Sequence, residues 1–98
     1  MARLTNTRGQ LKTMAFIEKL GFFVTLEERR GPYWIDCFVQ ELGIAVEYDG
    51  PSHGLSKKRD AKRDLELVNT YGILRVVRVT DTDFKDHIAL EKKILGEE

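Results

Sequence analysis

The sequence predicts a single α/β domain of order α-β-β-β-α-β-α, with a mixed four-stranded sheet flanked by helices. Three observations predict it. Segments of helical apolar spacing alternate with short β-prone segments, glycines follow the helical segments, and 98 residues are enough for one hydrophobic core but not two. Apolar residues make up 42% of the chain, which is typical of a globular protein, and charged residues make up 33%, which is on the high side. We therefore expect residues 1–98 to form one domain.

The first half of the chain is expected to fold into a helix and three strands. The predicted elements are a helix over 7–20 and strands over 22–27, 33–39 and 44–49. Apolar residues at a spacing near 3.6 favour the helix, and Gly21 is a natural stop. Aromatic and β-branched residues favour the strands, the first of which should end before Arg29. The tight turn at 40–43 predicts that the second and third strands form an antiparallel hairpin.

The second half is expected to add a helix, a strand and a last helix. The predicted elements are a helix over 56–71, a strand over 73–80, and a helix that starts at residues 81–82. In the first of these helices, Ala61, Leu65 and Val68 form the apolar stripe that we expect to be buried. Because a helix joins the third and fourth strands, they can lie parallel through a right-handed crossover.

Composition excludes several classes of protein. No apolar run approaches the roughly 20 residues that cross a bilayer, and residues 1–6 carry no export signal. The single cysteine, Cys37, excludes an internal disulfide, and with His53 and His87 it gives no zinc-ligand spacing. We expect a soluble, intracellular, cytoplasmic protein without a membrane partner. The formal net charge of zero argues against coating nucleic acid through charge alone.

Acidic residues stand among apolar neighbours in two predicted strands. Asp36 lies in the middle of 33–39, while Glu47 and Asp49 lie near the end of 44–49. Like charges on neighbouring strands repel and lose hydration, and a bound cation is the simplest compensation. Carboxylate oxygens suit a hard divalent ion. The sequence therefore predicts a site for Mg²⁺ or Mn²⁺ at Asp36, Glu47 and Asp49, with a strand carbonyl as a further candidate ligand.

The alternative is a solvated sheet face, since a half-exposed antiparallel face often carries acids. Strict alternation along the strand places Trp34 and Phe38 on the same face as Asp36. A face that also carries two aromatic side chains is not polar throughout. The end of the third strand, next to the 50–54 loop, is also where sites form in open α/β sheets.

A histidine follows the acids in the loop. His53 lies four residues after Asp49, and an imidazole with a pKa near ~6.5 can take or give a proton at neutral pH. Asp60, in the first turn of the next helix, is a candidate to orient it. The alternatives are a surface histidine and an acid that complements the helix dipole.

The helix after this loop begins with a basic run. Its basic residues are Lys57, Lys58, Arg59, Lys62 and Arg63. Such a run is commonly a solvated helix face. Because it directly follows the predicted metal site, we interpret it as a set of phosphate contacts.

These residues together form a pattern that resembles a nuclease family. The pattern consists of Asp36, Glu47-Tyr48-Asp49-Gly50, His53, Asp60 with Arg63, and Gly72-Ile73-Leu74-Arg75. From about Thr7 to Thr80 the chain resembles the very-short-patch repair (Vsr-like) nucleases and the EDxHD homing endonucleases of phage introns. Both belong to the PD-(D/E)XK nuclease superfamily. The resemblance implies a restriction-endonuclease-like core in a single catalytic domain over residues 1–98.

The resemblance also implies roles for individual residues. Asp36 matches the metal-binding aspartate, and Glu47 and Asp49 match the acidic position and the usual lysine position. The backbone carbonyl of Tyr48 would be a further metal ligand. His53 matches a histidine that handles a proton, and its partner on the following helix would be Asp60.

The chain departs from the family pattern at two positions. The repair enzymes have a histidine where Asp49 stands, which leaves open how Asp49 and His53 divide the proton transfer. They also have a glutamate on the first helix where this chain has Gln10, and glutamine cannot act as an anionic ligand or base. Either the site works without that charge, or it is weakened, or Gln10 is an ordinary helix-surface residue.

The expected function is Mg²⁺- or Mn²⁺-dependent endonucleolytic hydrolysis of DNA, as a nicking or homing-type catalytic domain. Alternatives are a catalytically weakened nucleic-acid-binding module of the same fold, a protein-binding domain with solvent-facing acids, and a nuclease for RNA or branched junctions. A 98-residue chain has little surface for reading a long DNA sequence. We therefore expect a fused or separate DNA-targeting module, and a double-strand break would need a homodimer or two events.

Overall fold

A mixed four-stranded sheet organises the chain in the computed structural model, which describes residues 8–49 and 57–97 and leaves out the side chains of 57–60. The elements are α1 (Arg8–Lys19), β1 (Val24–Arg30), β2 (Tyr33–Val39), β3 (Ile44–Tyr48), α2 (Lys57–Asn69), β4 (Arg75–Val79), a 3₁₀ turn (Asp83–Lys85) and α3 (His87–Leu95). This order confirms the predicted α/β fold class.

The strands lie in the order β1-β2-β3-β4. β1 pairs antiparallel with β2, and β2 pairs antiparallel with β3 across the 40–43 turn. Gly43 in that turn has φ = 65°, in the left-handed region that glycine enters without steric cost. β3 and β4 are parallel and are connected through α2, as the sequence predicts. The hairpin and the parallel pair therefore place β3 in the interior of the sheet.

Apolar side chains pack on both faces of the sheet, because alternate residues of a strand point to opposite sides. In the described part of the chain they form two clusters. One cluster packs α1 and α3 against the sheet and includes Ile17, Cys37, Val46, Val79, Leu90 and Ile94. The other packs α2 against the sheet and includes Ile35, Phe38, Ala45, Leu67 and Ile73.

The predicted buried stripe of α2 is wrong. Leu65 is 62% exposed, Val68 is 39% exposed and Ala61 is also exposed, whereas Leu67 is fully buried. The inner face of α2 is formed by Arg63 and Leu67, which are four residues apart and share one side of a helix. This orientation buries Leu67 in the apolar cluster under α2 and brings Arg63 into an ion pair with Glu47 on β3.

Two element boundaries also differ from the prediction. β1 continues to Arg30 because Arg29 and Arg30 pair with residues of β2 and stack on aromatic rings there: Arg29 lies 5.2 Å from the centre of the Trp34 ring. The last helix begins at His87, where the side chain of Asp86 caps it by accepting from the Ala89 N–H. No helix in 8–49 and 57–97 is long and apolar enough to cross a membrane.

Candidate functional site

Asp36 and Glu47 lie opposite each other at the point where β2 and β3 separate. Backbone pairing runs from Val39–Ile44 to Cys37–Val46, and Asp36 and Glu47 are the next residues along each strand. Here the Asp36 N–H donates to Glu47 Oε2 at 2.6 Å, and the Tyr48 N–H donates to Asp36 Oδ2 at 3.2 Å. Each carboxylate therefore accepts a hydrogen bond from the backbone of the other strand. We call Asp36 and Glu47 the acid pair.

A backbone irregularity on β1 faces the acid pair. Glu27 has φ = 54°, a left-handed conformation that a non-glycine residue adopts at a cost of about 1–3 kcal/mol. It lies in register with Asp36, between residues of β1 that pair normally with β2. Ile35 and Phe38 pack in the same cluster although they are three residues apart. The strict alternation that the sequence predicts for β2 therefore does not hold across Asp36.

Gln10 ties α1 to β2 at Asp36. The Gln10 side chain is 1% exposed, and its Nε2 donates to the backbone carbonyl of Asp36 at 3.0 Å. The Cys37 thiol donates to the backbone carbonyl of Gln10 at 3.8 Å. The alternative that Gln10 is an ordinary helix-surface residue is wrong. Its amide N–H fixes the backbone of Asp36, which a glutamate carboxylate could not do because it has no N–H to donate.

Glu47 is the most strongly perturbed carboxylate of the site. It is 5% exposed, and burial together with the negative charge of Asp36 raises the pKa of Glu47 from 4.5 to about 7. Arg63, the Asp36 N–H and Arg78 act in the opposite direction. Burial and the charge of Asp36 therefore disfavour the ionised form of the Glu47 carboxyl, and a further positive charge nearby would favour it.

Arg63 of α2 contacts Glu47 directly. Arg63 Nη2 lies 2.5 Å from Glu47 Oε1 and donates to the Trp34 carbonyl at 2.5 Å. Its guanidinium also lies 5.8 Å from the centre of the Tyr33 ring. The sequence predicts Arg63 as a DNA phosphate contact, whereas here its side chain points to the acid pair. The phosphate contact stays a prediction.

A chain of ion pairs continues from Arg63 to Asp49. Arg63 Nη1 lies 3.3 Å from Asp64 Oδ1, and Asp64 accepts two hydrogen bonds from Arg78 at 2.6 and 3.2 Å. Arg78 Nη1 in turn lies 3.1 Å from Asp49 Oδ1. Arg78 is half-buried, and although desolvation opposes it, hydrogen bonds and the charges of Asp64 and Asp49 raise its pKa. We call Arg63, Asp64 and Arg78 the arginine network.

The structure brings together part of the predicted site. Asp36 and Glu47 are in direct contact, Gln10 holds the backbone of Asp36, and the Tyr48 N–H binds the Asp36 carboxylate. Asp49 is connected to the acid pair through the arginine network. The Tyr48 hydroxyl, by contrast, donates to Asp81 at 2.8 Å, away from the acids.

Several residues of the predicted site lie outside the part of the chain that the structure describes. His53 belongs to the segment 50–56, which the structure leaves out. The backbones of Lys57, Lys58, Arg59 and Asp60 form the first turn of α2, but their side chains are not described. Lys62 is exposed on the same helix. The roles predicted for these residues stay predictions.

No group of three His, Cys, Asp and Glu side chains gathers in metal-binding geometry within 8–49 and 61–97, the ranges whose side chains the structure describes. The acid pair supplies two carboxylates. Mg²⁺ is usually held by one or two carboxylates and keeps several of its waters. Two carboxylates of like charge on facing strands, with Glu47 buried and Asp36 half-buried, therefore fit a hydrated divalent ion.

Sequence reasoning missed Asp64 and Arg78. The signal for Arg78 is a charged residue flanked by valines in β4, in register with Glu47. It also missed a polar cavity of about 360 Å³ that is lined by Arg8, Gly9, Lys12, Tyr48 and Asp81. The cavity opens beside Tyr48, the residue that follows Glu47. Two of its lining side chains are cationic and exposed.

Comparisons with protein-family models, curated proteins and solved structures give no match for this chain. The relation to the Vsr-like nucleases therefore stays a prediction based on the residue pattern.

Glu47→Gln should remove a pH dependence of stability. A carboxyl whose pKa is raised by folding contributes stability below its usual pKa, and that stability is lost as pH rises through its folded value. The wild-type protein should thus lose about 2–3 kcal/mol between pH 4.5 and pH 7.5 through Glu47, and Glu47→Gln should not. Urea unfolding at intervals of one pH unit measures the difference, with the exposed Glu91→Gln as control. An equal loss in Glu47→Gln and wild type would contradict this assignment.

Gln10→Glu should destabilise the protein. The substitution loses the hydrogen bond to the Asp36 carbonyl and places carboxylate oxygens against it in a buried position, at a cost of about 3 kcal/mol or more. Gln10→Met loses the hydrogen bond without adding charge and should cost about 1–2 kcal/mol. Thermal and urea unfolding compare the two variants with wild type. A Gln10→Glu variant as stable as wild type would show that the site accepts the family's glutamate.

Proposed function

We propose that this protein is a divalent-metal-dependent endonuclease that hydrolyses DNA phosphodiester bonds. One observation supports the proposal above all: the carboxylates of Asp36 and Glu47 lie on adjacent strands, and each accepts a hydrogen bond from the backbone of the other strand. Glu47 is buried, and its burial together with the charge of the half-buried Asp36 raises the pKa of Glu47 to about 7. Like charges at a partly buried position cost folding free energy unless positive charge compensates them, and carboxyl groups with shifted pKa values are typical of functional sites. The residue pattern of the PD-(D/E)XK nucleases, with Asp36 and Glu47 at its acidic positions, supports the same reading.

In this proposal the residues of the site have separate roles in metal binding and proton transfer. Asp36 and Glu47 would hold the ion, with Asp49 and the Tyr48 carbonyl as further candidate ligands. When bound, a divalent ion neutralises phosphate charge and acidifies a coordinated water. Gln10 keeps the Asp36 backbone in place. His53 would take or give a proton at the attacking water or the leaving oxygen, and Asp60 would orient its imidazole.

DNA would approach the site over basic side chains. The proposed phosphate contacts are Lys57, Lys58, Arg59, Lys62 and Arg63. The cavity lined by Arg8 and Lys12 offers positive charge on the other side of Tyr48. Phosphate contacts of this kind position a duplex without reading its sequence, so sequence choice would come from a fused or separate targeting module. One site cuts one strand, and a double-strand break would then need a second copy.

The second candidate is a nucleic-acid-binding module that has the fold without the catalysis. The observation that favours it is the arginine network, since guanidinium groups already compensate Glu47 and Asp49. A buried ion pair of this kind can be purely structural. The two candidates differ in one property: the enzyme nicks DNA in the presence of metal, and the binding module shifts its mobility without nicking it.

A plasmid-nicking assay tests the proposal. Supercoiled DNA is incubated with the protein and Mg²⁺, Mn²⁺ or EDTA, and we expect nicking with either metal and none with EDTA. Asp36→Asn keeps the size of the side chain and an oxygen that can accept from the Tyr48 N–H, but removes the charge. It should lower the nicking rate by about 100-fold or more, a loss typical of removing a group that stabilises charge in the transition state.

The matched control is Asp86→Asn, which changes an aspartate outside the site and keeps a residue suited to cap α3. It should nick at the wild-type rate. Wild-type nicking by Asp36→Asn would show that the site is misassigned. A mobility shift without nicking in any metal would establish the binding module instead.

A further inference from the structure

Arg63 has more partners than a phosphate-binding arginine requires. Its guanidinium contacts the Glu47 carboxylate, the Trp34 carbonyl and Asp64, and its side chain is only 16% exposed. Lys62, the neighbouring basic residue, is exposed. The position of Arg63 is therefore fixed by the acid pair and by β2, on the inner face of α2.

The contact with Glu47 conflicts with the binding of a metal ion. Glu47 Oε2 accepts from the Asp36 N–H and Glu47 Oε1 contacts Arg63, so both oxygens are already engaged. A doubly charged ion shared by Asp36 and Glu47 would lie close to the guanidinium and repel it. Binding of the ion should therefore weaken the contact between Arg63 and Glu47.

We propose that Arg63 is a positioning residue that takes the place of the cation at Glu47 in the metal-free protein, and that a divalent ion displaces it. The inference deepens the proposed function and depends on its metal site. Displacement is consistent with both contacts of Arg63. Without metal its guanidinium pairs with Glu47, and once released it would be available for the predicted contact with a DNA phosphate. A carboxylate–guanidinium contact breaks and carboxylate–metal contacts form, with no change in covalent bonds.

Asp64 and Arg78 limit where Arg63 goes. Asp64 lies 3.3 Å from Arg63 Nη1 and is itself fixed by the two hydrogen bonds from Arg78. Arg63 can therefore leave Glu47 and still pair with Asp64. Arg78 is held by Asp64 and Asp49 together, and it should stay in place when the ion binds.

Calorimetric titration with Mn²⁺ at pH 8 tests the displacement. Arg63→Gln removes the competing charge, and we expect Mn²⁺ to bind this variant about tenfold more tightly than wild type. Arg75→Gln is the matched control: this arginine donates to the carbonyls of Lys93 and Ile94, so its loss should leave the dissociation constant for Mn²⁺ unchanged. Equal or weaker binding by Arg63→Gln overturns the proposal.

A measurement on the wild-type protein covers the case in which Arg63→Gln does not fold. The side-chain Nε–H signal of Arg63, assigned with Arg63→Lys, is followed by NMR during titration with Mg²⁺. A shift or loss of this signal, with the Arg75 signal unchanged, supports displacement, and an unchanged Arg63 signal at saturating Mg²⁺ overturns it.

The outcome is separable from that of the nicking assay. If the plasmid is nicked with metal but Arg63 does not respond, displacement fails and the proposed nuclease function stands. If Arg63 responds but the plasmid is not nicked, displacement stands and the protein is a metal-binding module. If no variant binds Mn²⁺, displacement and the metal dependence of the proposed function both fail.

Discussion

A buried carboxylate next to a second, half-buried one needs positive charge and hydrogen-bond donors close by, and this need shapes the structure around the acid pair. The backbone N–H groups of Asp36 and Tyr48 supply the donors, and they do so where the β2–β3 ladder ends. Arg63 supplies the charge. The orientation of α2 that brings Arg63 to the sheet also buries Leu67, and it leaves Leu65 and Val68 at the surface.

Several features around the acid pair cost folding free energy. Glu47 has its pKa raised to about 7, Glu27 adopts a left-handed backbone conformation opposite Asp36, and α2 exposes apolar surface. Natural proteins accept such local conflicts mainly at functional sites. Their concentration around one pair of acids is the reason we place the function there and not in the small apolar groove beside Phe16 and His87.

The fold could be predicted from the sequence because its signals are local. Apolar spacing and glycine stops mark the helices, and the 40–43 turn fixes the register that sets Asp36 opposite Glu47. The pairing of the two acids was thus within reach of sequence reasoning. It follows from two short strands and one tight turn, with no need for long-range information.

The partners of the acids could not be predicted in the same way. Arg63 and Arg78 reach Glu47 and Asp49 through the rotation of α2 and the parallel register of β4, which depend on the packing of the whole domain. Apolar periodicity alone predicts the wrong inner face for α2, because it takes no account of the Glu47 carboxylate on the sheet. The conformation of Glu27 has no sequence signal at all, because glutamate rarely adopts it.

We propose that the acid pair is a cation site, and that Arg63 contacts Glu47 there until a divalent ion binds. The most direct test is a crystal structure of the protein grown with Mn²⁺, with anomalous scattering measured at the manganese absorption edge. We expect one anomalous peak between the carboxylates of Asp36 and Glu47, and we expect the Arg63 guanidinium no longer to contact Glu47. A map without a peak there, with Arg63 still bound to Glu47 at saturating Mn²⁺, would contradict this proposal.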